Sequence, residues 1–236
     1  MERVAAEVAV MLILALGAYR GRALDAKGTL AALLIGVTTL HFGGVYPFLA
    51  LLIFMVAGVV ATRYRFSEKL RLGIAQSGLG VRSWRNVLGN GLPAVIFIAV
   101  EYITRQDVFW AATFASIATA SGDTLASELG KVLGKRPRLI TTLKPVSPGE
   151  NGAVSIQGEL AALLGILAVG VFSIPLASEP LRMLFSIVVG GIVGVNLDSL
   201  IGATLEERGI TDNNSTNFIA SFCGGCVGAL TLSLLM

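Results

Sequence analysis

Carboxylates set among small and hydroxyl-bearing residues are the chemically most suggestive feature of this 236-residue chain. Asp123 and Glu128 lie in the run SGDTLASELG, and Asp198 lies in the run NLDSLIGAT. With about 3.6 residues per turn, a helix would place each aspartate on a face of small residues. These are Ala120, Ser127 and Gly130 beside Asp123, and Gly191, Gly194 and Gly202 beside Asp198. Another helix or a ligand can approach such a face closely.

A divalent cation would explain why these acids occur in apolar segments. A carboxylate near the centre of a membrane costs roughly 2.5–3.5 kcal/mol and requires compensation. Oxygen ligands without histidine or cysteine are typical of Mg²⁺ sites. We therefore predict that Asp123, Glu128 and Asp198 bind Mg²⁺. The alternative is structural: the small residues would pack helices, and the acids would pair with loop arginines.

Asparagines precede several apolar segments, which indicates an anion site. Residues 144–152, KPVSPGENG, run into one such segment, with prolines to fix the backbone and glycines to allow close approach. Asn90, Asn151, Asn213 and Asn214 are expected to precede or cap three helix N-termini. The unpaired N–H groups of helix N-termini attract anions. Three N-termini facing one pocket would suit a polyphosphate.

The composition indicates a polytopic membrane protein. Hydrophobic residues make up 54% of the chain and charged residues only 14%, whereas soluble domains carry about 25% charged residues. The net charge of +3 is too small to indicate nucleic-acid binding. Cys223 and Cys226 are spaced C-x-x-C in an apolar stretch, far in sequence from the single histidine, His41. A packing role is therefore favoured over a zinc or redox site for the two cysteines.

The fold expected is an all-α integral membrane bundle that forms one transmembrane domain over residues 1–236. Eight spans are predicted, at about 4–18, 28–42, 46–61, 92–104, 108–129, 153–175, 181–202 and 216–235. They would form four hairpins, and hairpins 5–6 and 7–8 would be a weak parallel repeat because both contain Asp-[Ser/Thr]-Leu.

The distribution of positive charge predicts the orientation. Fifteen of the 18 lysines and arginines fall on one side of this arrangement. Positive loops face the cytoplasm, so we expect both termini outside and the loops at about 62–91, 130–152 and 203–215 inside, together with the active site. The loop 62–91 is assigned mainly to membrane anchoring, although Arg85 and Asn86 could enter the pocket. Glu159 could join the acidic cluster or form a pair, and Glu206, Glu207 and Asp212 are expected to be solvated.

Four runs, in order, carry a family resemblance: SGDTLASELG, KPVSPGENGAVSIQG, NLDSLIGATLEERG and NNSTNF. They resemble an integral membrane family, formerly of unknown function, that is typified by plant phytyl-phosphate kinase. The resemblance covers residues 20–217. It implies phosphoryl transfer from a nucleoside triphosphate, with CTP favoured, to an isoprenoid monophosphate such as phytyl or geranylgeranyl phosphate, giving the diphosphate.

This chemistry assigns a role to each candidate residue. Asp123, Asp198 and Lys144 would be catalytic, and Glu128 would join the two aspartates in holding Mg²⁺. The residues expected to bind substrate phosphates are Arg85, Asn90, Ser147, Gly149, Asn151, Gly152, Asn214 and Asn217. The partners implied are the nucleotide, the isoprenoid lipid and membrane lipids, and a homo-oligomer is compatible with the sequence.

Two other functions remain open from the residues alone. An ion-coupled carrier would also contain intramembrane acids, internal repeats and glycine-broken helices. However, the acids here are predicted near one surface, whereas carrier sites lie near the midplane. A membrane transferase that moves nucleotidyl or phospho-alcohol groups would need a similar face of metal and phosphate ligands.

Overall fold

Nine α-helices account for most of the part of the chain that the computed structural model describes, residues 2–236 without the side chains of residues 2, 3 and 77. They are α1 (Glu2–Arg20), α2 (Ala26–Thr38), α3 (Val45–Arg63), α4 (Phe66–Arg71), α5 (Trp84–Thr104), α6 (Val108–Leu133), α7 (Ile156–Gly170), α8 (Pro180–Ile201) and α9 (Asn213–Leu235). π-Helical turns extend α2 over Thr39–Gly43 and α8 over Gly202–Glu206. 3₁₀ turns occupy Ser77–Gly80 and Val171–Leu176. The predicted all-α character is confirmed.

Within the described residues 2–236, six helical segments are long and apolar enough to cross a membrane. They are Ala26–Gly43, Val45–Arg63, Trp84–Thr104, Ile156–Leu176, Pro180–Glu206 and Asn213–Leu235. The helices α1 and α6 are not in this set. The eight-span count, the four hairpins and the internal repeat therefore stay predictions. The fourth predicted span was expected to begin at 92, but its helix already begins at Trp84, so Asn90 lies inside α5.

Helix α6 lies at the centre of the bundle and packs against α3, α5, α7, α8 and α9. Every residue from 111 to 122 is buried, and most are alanine, serine, threonine or glycine. Two threonine hydroxyls bond within the helix: Thr113 Oγ1 donates to Phe109 O at 2.8 Å and Thr119 Oγ1 donates to Ala115 O at 2.9 Å. Since protein surrounds α6, it needs less apolar surface than a lipid-facing span, which accounts for its lower hydropathy.

Glycines allow α8 and α9 to come into close contact beside α6. A Cβ atom at Gly190 would lie 2.5 Å from Gly224 O, 2.9 Å from Gly228 N and 2.9 Å from Ala115 Cβ. Small residues that bring backbones together are the usual means of helix association in membranes. The glycines of α8 and α9 therefore serve helix packing.

Two short pairings fix the loops at the polar end of the bundle. Strand β1 (Arg138–Leu139) pairs antiparallel with β2 (Ala153–Val154) and folds the loop between α6 and α7. The segment before α5 pairs with the turn between α1 and α2: Arg82 N donates to Ala23 O at 3.0 Å, and Asp25 N donates to Arg82 O at 3.1 Å.

We expect Gly190→Ala to lower the stability of the protein. The added methyl group would meet backbone atoms of α9, and overpacking of this kind costs about 1–3 kcal/mol. The measurement is the thermal unfolding midpoint in detergent. Gly17→Ala is the matched control, because a Cβ there meets nothing within 4 Å. Equal midpoints for both variants would contradict the close approach of α8 and α9.

Candidate functional site

A polar cavity of about 630 Å³ opens at the end of the bundle where α6 and α8 end and α7 and α9 begin. The three loops expected at the cytoplasmic face all contribute to its wall. Eight of the predicted site residues line it: Asp123, Glu128, Gly149, Asn151, Gly152, Asp198, Asn214 and Asn217. The predicted site residues that do not line it are Arg85, Asn90, Lys144 and Ser147.

Asp123 and Asp198 are brought together in this cavity from two different helices. Asp123 comes from the second half of α6 and Asp198 from the last turn of α8, and their carboxyl groups lie within hydrogen-bonding reach of each other. A further carboxylate, Glu206, is near enough to add its negative charge to both. Carboxylates in such contact cannot all be ionised without a proton or a cation between them.

A chain of asparagines supports Asp198 from α5 and α9. With the Asn217 amide oriented so that both its ends are satisfied, its nitrogen donates to Asp198 Oδ2 at 3.2 Å and to Asn213 O at 3.0 Å. The amide oxygen of Asn217 accepts a bond from Asn90 Nδ2 at 3.1 Å. Asn90 therefore acts on Asp198 through Asn217, although Asn90 lies outside the cavity wall.

Glu128 is bound to lysines. Its Oε2 lies 2.5 Å from Nζ of Lys69, and its Oε1 lies 3.2 Å from Nζ of Lys131. Lys69 is fully buried, and its ammonium group also donates to Ala61 O and Thr62 O. Since five residues separate Glu128 from Asp123, the two side chains diverge by about 140° around α6.

The predicted three-carboxylate cluster is therefore reduced to a pair. Among the described residues, no group of three His, Cys, Asp or Glu side chains is placed to hold a metal ion. Asp123 and Asp198 meet, whereas Glu128 neutralises lysines at the edge of the same cavity.

Lys144, Ser147 and Arg85 lie at the surface, away from the cavity wall. The pairing of β1 with β2, continued by a bridge between Arg138 and Pro145, places Lys144 on an exposed turn. Ser147 N donates to the Glu150 carboxylate at 3.3 Å. Arg85 stacks over Trp84, and its guanidinium lies 3.9 Å from Asp212.

The expected asparagine caps are wrong. The N-cap of α7 is Ser155, whose Oγ accepts from Gly158 N at 3.1 Å, and the N-cap of α9 is Asp212, whose Oδ1 accepts from Ser215 N at 2.8 Å. The two bonds from Ser215 hold the pKa of Asp212 below its usual range. The residue before α5 is Ser83. Serine and aspartate are N-cap residues as favourable as asparagine, and with the caps filled by them Asn151 and Asn214 line the cavity.

Two glycines of the 144–152 loop have positive φ angles, 84° at Gly149 and 73° at Gly152. A Cβ at Gly152 would also lie 2.4 Å from Ala203 Cβ and 2.7 Å from Ser199 O. Close packing of the loop against the end of α8 therefore requires glycine at 152. This contact places Asn151 beside Glu206, to which its amide nitrogen donates at 3.3 Å.

Five charged residues of the cavity wall, Asp25, Arg82, Lys131, Glu150 and Glu206, were not predicted as site residues. Glu206 was expected to be solvated, yet it is half-buried in the wall. Its position eight residues after Asp198, about two helical turns, could have indicated this if α8 had been extended past Gly202. Lys131 and Arg82 also line the wall. No local sequence pattern distinguishes Arg82 from the other loop arginines.

Glu159 lies in the cavity wall, in agreement with the first of the two alternatives predicted for it. It lies in the first turn of α7 and lines the wall, where the Asn196 side chain forms a hydrogen bond with it. Glu159 therefore adds another acidic group to the same wall as Asp123 and Asp198.

Comparison with known proteins identifies related sequences. The family described as Integral membrane protein DUF92 matches residues 9–225. An uncharacterized membrane protein of Methanocaldococcus jannaschii is 34% identical over 230 residues, which cover 97% of this chain and 94% of the relative. Protein PGR of Arabidopsis thaliana is 30% identical over 90% of each chain. Protein VTE6, chloroplastic, of the same plant is 30% identical over 78% of this chain and 57% of its own. No solved structure matches the chain.

We expect Glu128→Ala to destabilise the protein by about 3–5 kcal/mol, since it leaves the buried ammonium of Lys69 without its counter-charge. The unfolding midpoint in detergent is the measurement. Adding Lys69→Met should recover much of the loss, because the buried ammonium that lost its counter-charge is then removed as well. If the double variant were as unstable as Glu128→Ala, the pairing of Glu128 with Lys69 would not be its main role.

Proposed function

Because this chain belongs to the DUF92 integral membrane protein family, we propose that it is a membrane-embedded kinase. It transfers a phosphoryl group from a nucleoside triphosphate, CTP being favoured, to an isoprenoid monophosphate such as phytyl or geranylgeranyl phosphate. The observation that carries the proposal is the meeting of Asp123 and Asp198 in a large polar cavity at the end of an apolar bundle. The motifs that resemble phytyl-phosphate kinase converge on this cavity.

The donor atoms of the pair suit a hard cation. Both aspartates offer carboxylate oxygens to the cavity, and within the described chain neither forms a salt bridge with lysine or arginine. Mg²⁺ is commonly held by one or two carboxylates together with water and phosphate oxygens. Asp123 and Asp198 would hold the ion, which when bound neutralises charge on the triphosphate. Glu128 is left out of this set because both of its oxygens contact lysines.

Positioning is the main task of the protein in this reaction. A phosphate monoester is already ionised near pH 7, so no general base is needed. One of its oxygens forms a bond to the terminal phosphorus of the donor as the bond from that phosphorus to the departing nucleoside diphosphate breaks. Such transfer is accelerated chiefly by alignment and by stabilisation of charge.

Polar groups of the wall would supply that alignment. The amides of Asn151 and Asn214 line the cavity and can bond phosphate oxygens. Asn217 would act through Asp198, to which its amide nitrogen donates. Lys131 and Arg82 bring positive charge to the same wall. In this proposal they take the place foreseen for Lys144 and Arg85, whose side chains lie at the surface.

The membrane setting follows from the acceptor. Its hydrocarbon chain is insoluble in water, while the nucleotide is soluble, so the reaction needs a polar cavity adjoining an apolar bundle. We place this cavity at the cytoplasmic face, with both termini outside, because the positively charged loops surround it.

We expect Asp123→Asn and Asp198→Asn each to lower the rate of prenyl diphosphate formation by about 100-fold or more, because a fixed charge in the reacting site is lost. Purified protein would be incubated with Mg²⁺, labelled CTP, ATP or GTP, and geranylgeranyl or phytyl monophosphate, and the lipid products would be resolved. Glu207→Gln is the control, since Glu207 is exposed and outside the cavity wall.

The same assay separates the competing functions. If the label is recovered in a nucleotide–lipid conjugate, the protein is a nucleotidyl transferase and the kinase proposal is contradicted. Substrate flux into liposomes without turnover would indicate a carrier.

The dependence on metal is tested by adding a chelator to the same assay. The chelator should stop diphosphate formation, and an excess of Mg²⁺ should restore it.

A further inference from the structure

Arg82 is a buried arginine that lies between two cavities. Its side chain is 7% exposed, and its guanidinium lies 5.7 Å from the ring centre of Phe54. A Cβ at Gly58 would lie 2.3 Å from a guanidinium nitrogen, so glycine is needed there to make room. The backbone of Arg82 is held by the pairing with Ala23 and Asp25. The guanidinium is thus placed by two separate parts of the chain, α3 and the turn between α1 and α2.

This guanidinium lacks a counter-ion. Within the described residues it makes no hydrogen bond and no salt bridge, although Glu128 is near enough to act on it electrostatically. Burial lowers the pKa of Arg82, and the charge of Glu128 opposes that effect. Arginine nevertheless stays protonated in proteins. A buried cation without an anion is costly, and the planar guanidinium fits phosphate with paired hydrogen bonds.

The second cavity is apolar and narrow, with a volume of about 100 Å³. It lies among α1, α2, α3 and α5 and is lined by side chains such as Met11, Ala15, Ile35 and Phe48. A water-sized group needs about 10–15 Å³ by this measure. The cavity therefore has room for the first one or two five-carbon units of a branched chain, and a longer chain would continue between the helices into lipid.

Arg82 and Asn86 line both cavities. On one side of them is the polar space that contains Asp123 and Asp198, and on the other is hydrocarbon-like space. A molecule that satisfies both sides has an anionic head and an apolar tail. Charge complementarity thus selects a lipid phosphate over a free anion or a neutral lipid.

We propose that Arg82 and Asn86 bind the phosphate of the acceptor lipid and that the apolar cavity holds the first isoprene units of its chain. This assignment rests on the proposed function for the identity of the acceptor. It gives the phosphate a fixed position at the edge of the polar cavity, on the wall shared with the aspartate pair. The acceptor is then selected by its tail as well as by its head.

The head-group contact is tested by equilibrium binding of geranylgeranyl monophosphate to the purified protein in detergent, without nucleotide. Arg82→Gln should weaken binding by about tenfold or more, the effect of losing one charged hydrogen-bond partner. Arg82→Lys should retain more affinity than Arg82→Gln. Arg71→Gln is the control, because Arg71 is exposed on α4. Affinity of Arg82→Gln within twofold of the unmodified protein would overturn the proposal.

If Arg82→Gln does not fold, Gly58→Ala provides the second variant. Its methyl group would displace the guanidinium without removing the charge. We expect the same loss of affinity for geranylgeranyl monophosphate from this variant when it elutes as a monodisperse protein. Unchanged binding by Gly58→Ala would count against the position assigned to the phosphate.

The tail contact is tested by filling the apolar cavity. Ala15→Leu adds bulk to the cavity lining, whereas Ala9→Leu makes the same change on an exposed position of α1. Ala15→Leu should weaken binding of geranylgeranyl monophosphate and leave the weaker binding of inorganic phosphate unaltered. If both variants bound the lipid equally well, the tail would lie elsewhere. If inorganic phosphate bound as tightly as the lipid, the site would be a free-phosphate site.

Failure of this inference can be told from failure of the proposed function. If lipid binding depends on Arg82 and Ala15 but the protein forms no diphosphate, the lipid-phosphate site is supported and the kinase proposal is contradicted. If the protein forms diphosphate and its KM for the lipid is unchanged in Arg82→Gln and Ala15→Leu, the kinase is supported and the lipid-phosphate site is contradicted.

Discussion

The contact between Asp123 and Asp198 is the constraint on which the rest of the site depends. Like charges repel, so the two carboxylates do not hold each other in place when both are ionised. The packing of α6 against α8 does so, through small residues that let the two backbones approach. Two acids that helix packing holds together need a proton or a cation between them. The free energy of helix packing elsewhere in the bundle offsets the cost of their repulsion.

Helix α6 is both the central packing element of the bundle and part of the site. Its residues 111–122 are all buried and fix its position, and the turns that follow carry Asp123 and Glu128 to the polar end. The two acids leave the helix in different directions and have different environments. One meets another carboxylate, and the other is neutralised by Lys69 and Lys131. The lysine pair also limits the negative charge of the wall.

The sequence predicted the features that depend on composition and helical period. The apolar segments became helices, and the periodicity that put Asp123 and Asp198 on small-residue faces was sufficient to indicate their meeting. It was not sufficient for features that depend on partners distant in sequence. The pairing of Glu128 with Lys69 spans 59 residues, and the β1–β2 pairing that turns Lys144 outward has no pattern of its own. The prediction of the helix caps was wrong for another reason. Ser155 and Asp212 lie close in sequence to asparagines that could also cap, and only the path of the backbone decides which residue does so.

Arg82 shows how a positive charge can be useful because it is buried. In the loop sequence it resembles the cations that anchor membrane proteins at the lipid headgroups. The pairing of its backbone with the α1–α2 turn directs the side chain inward instead, over Phe54 and against Gly58. A surface arginine would attract any phosphate, soluble or lipid. An arginine at the junction of polar and apolar space is best neutralised by an anion that carries its own hydrocarbon, so burial converts a general attraction for phosphate into a preference for a lipid phosphate.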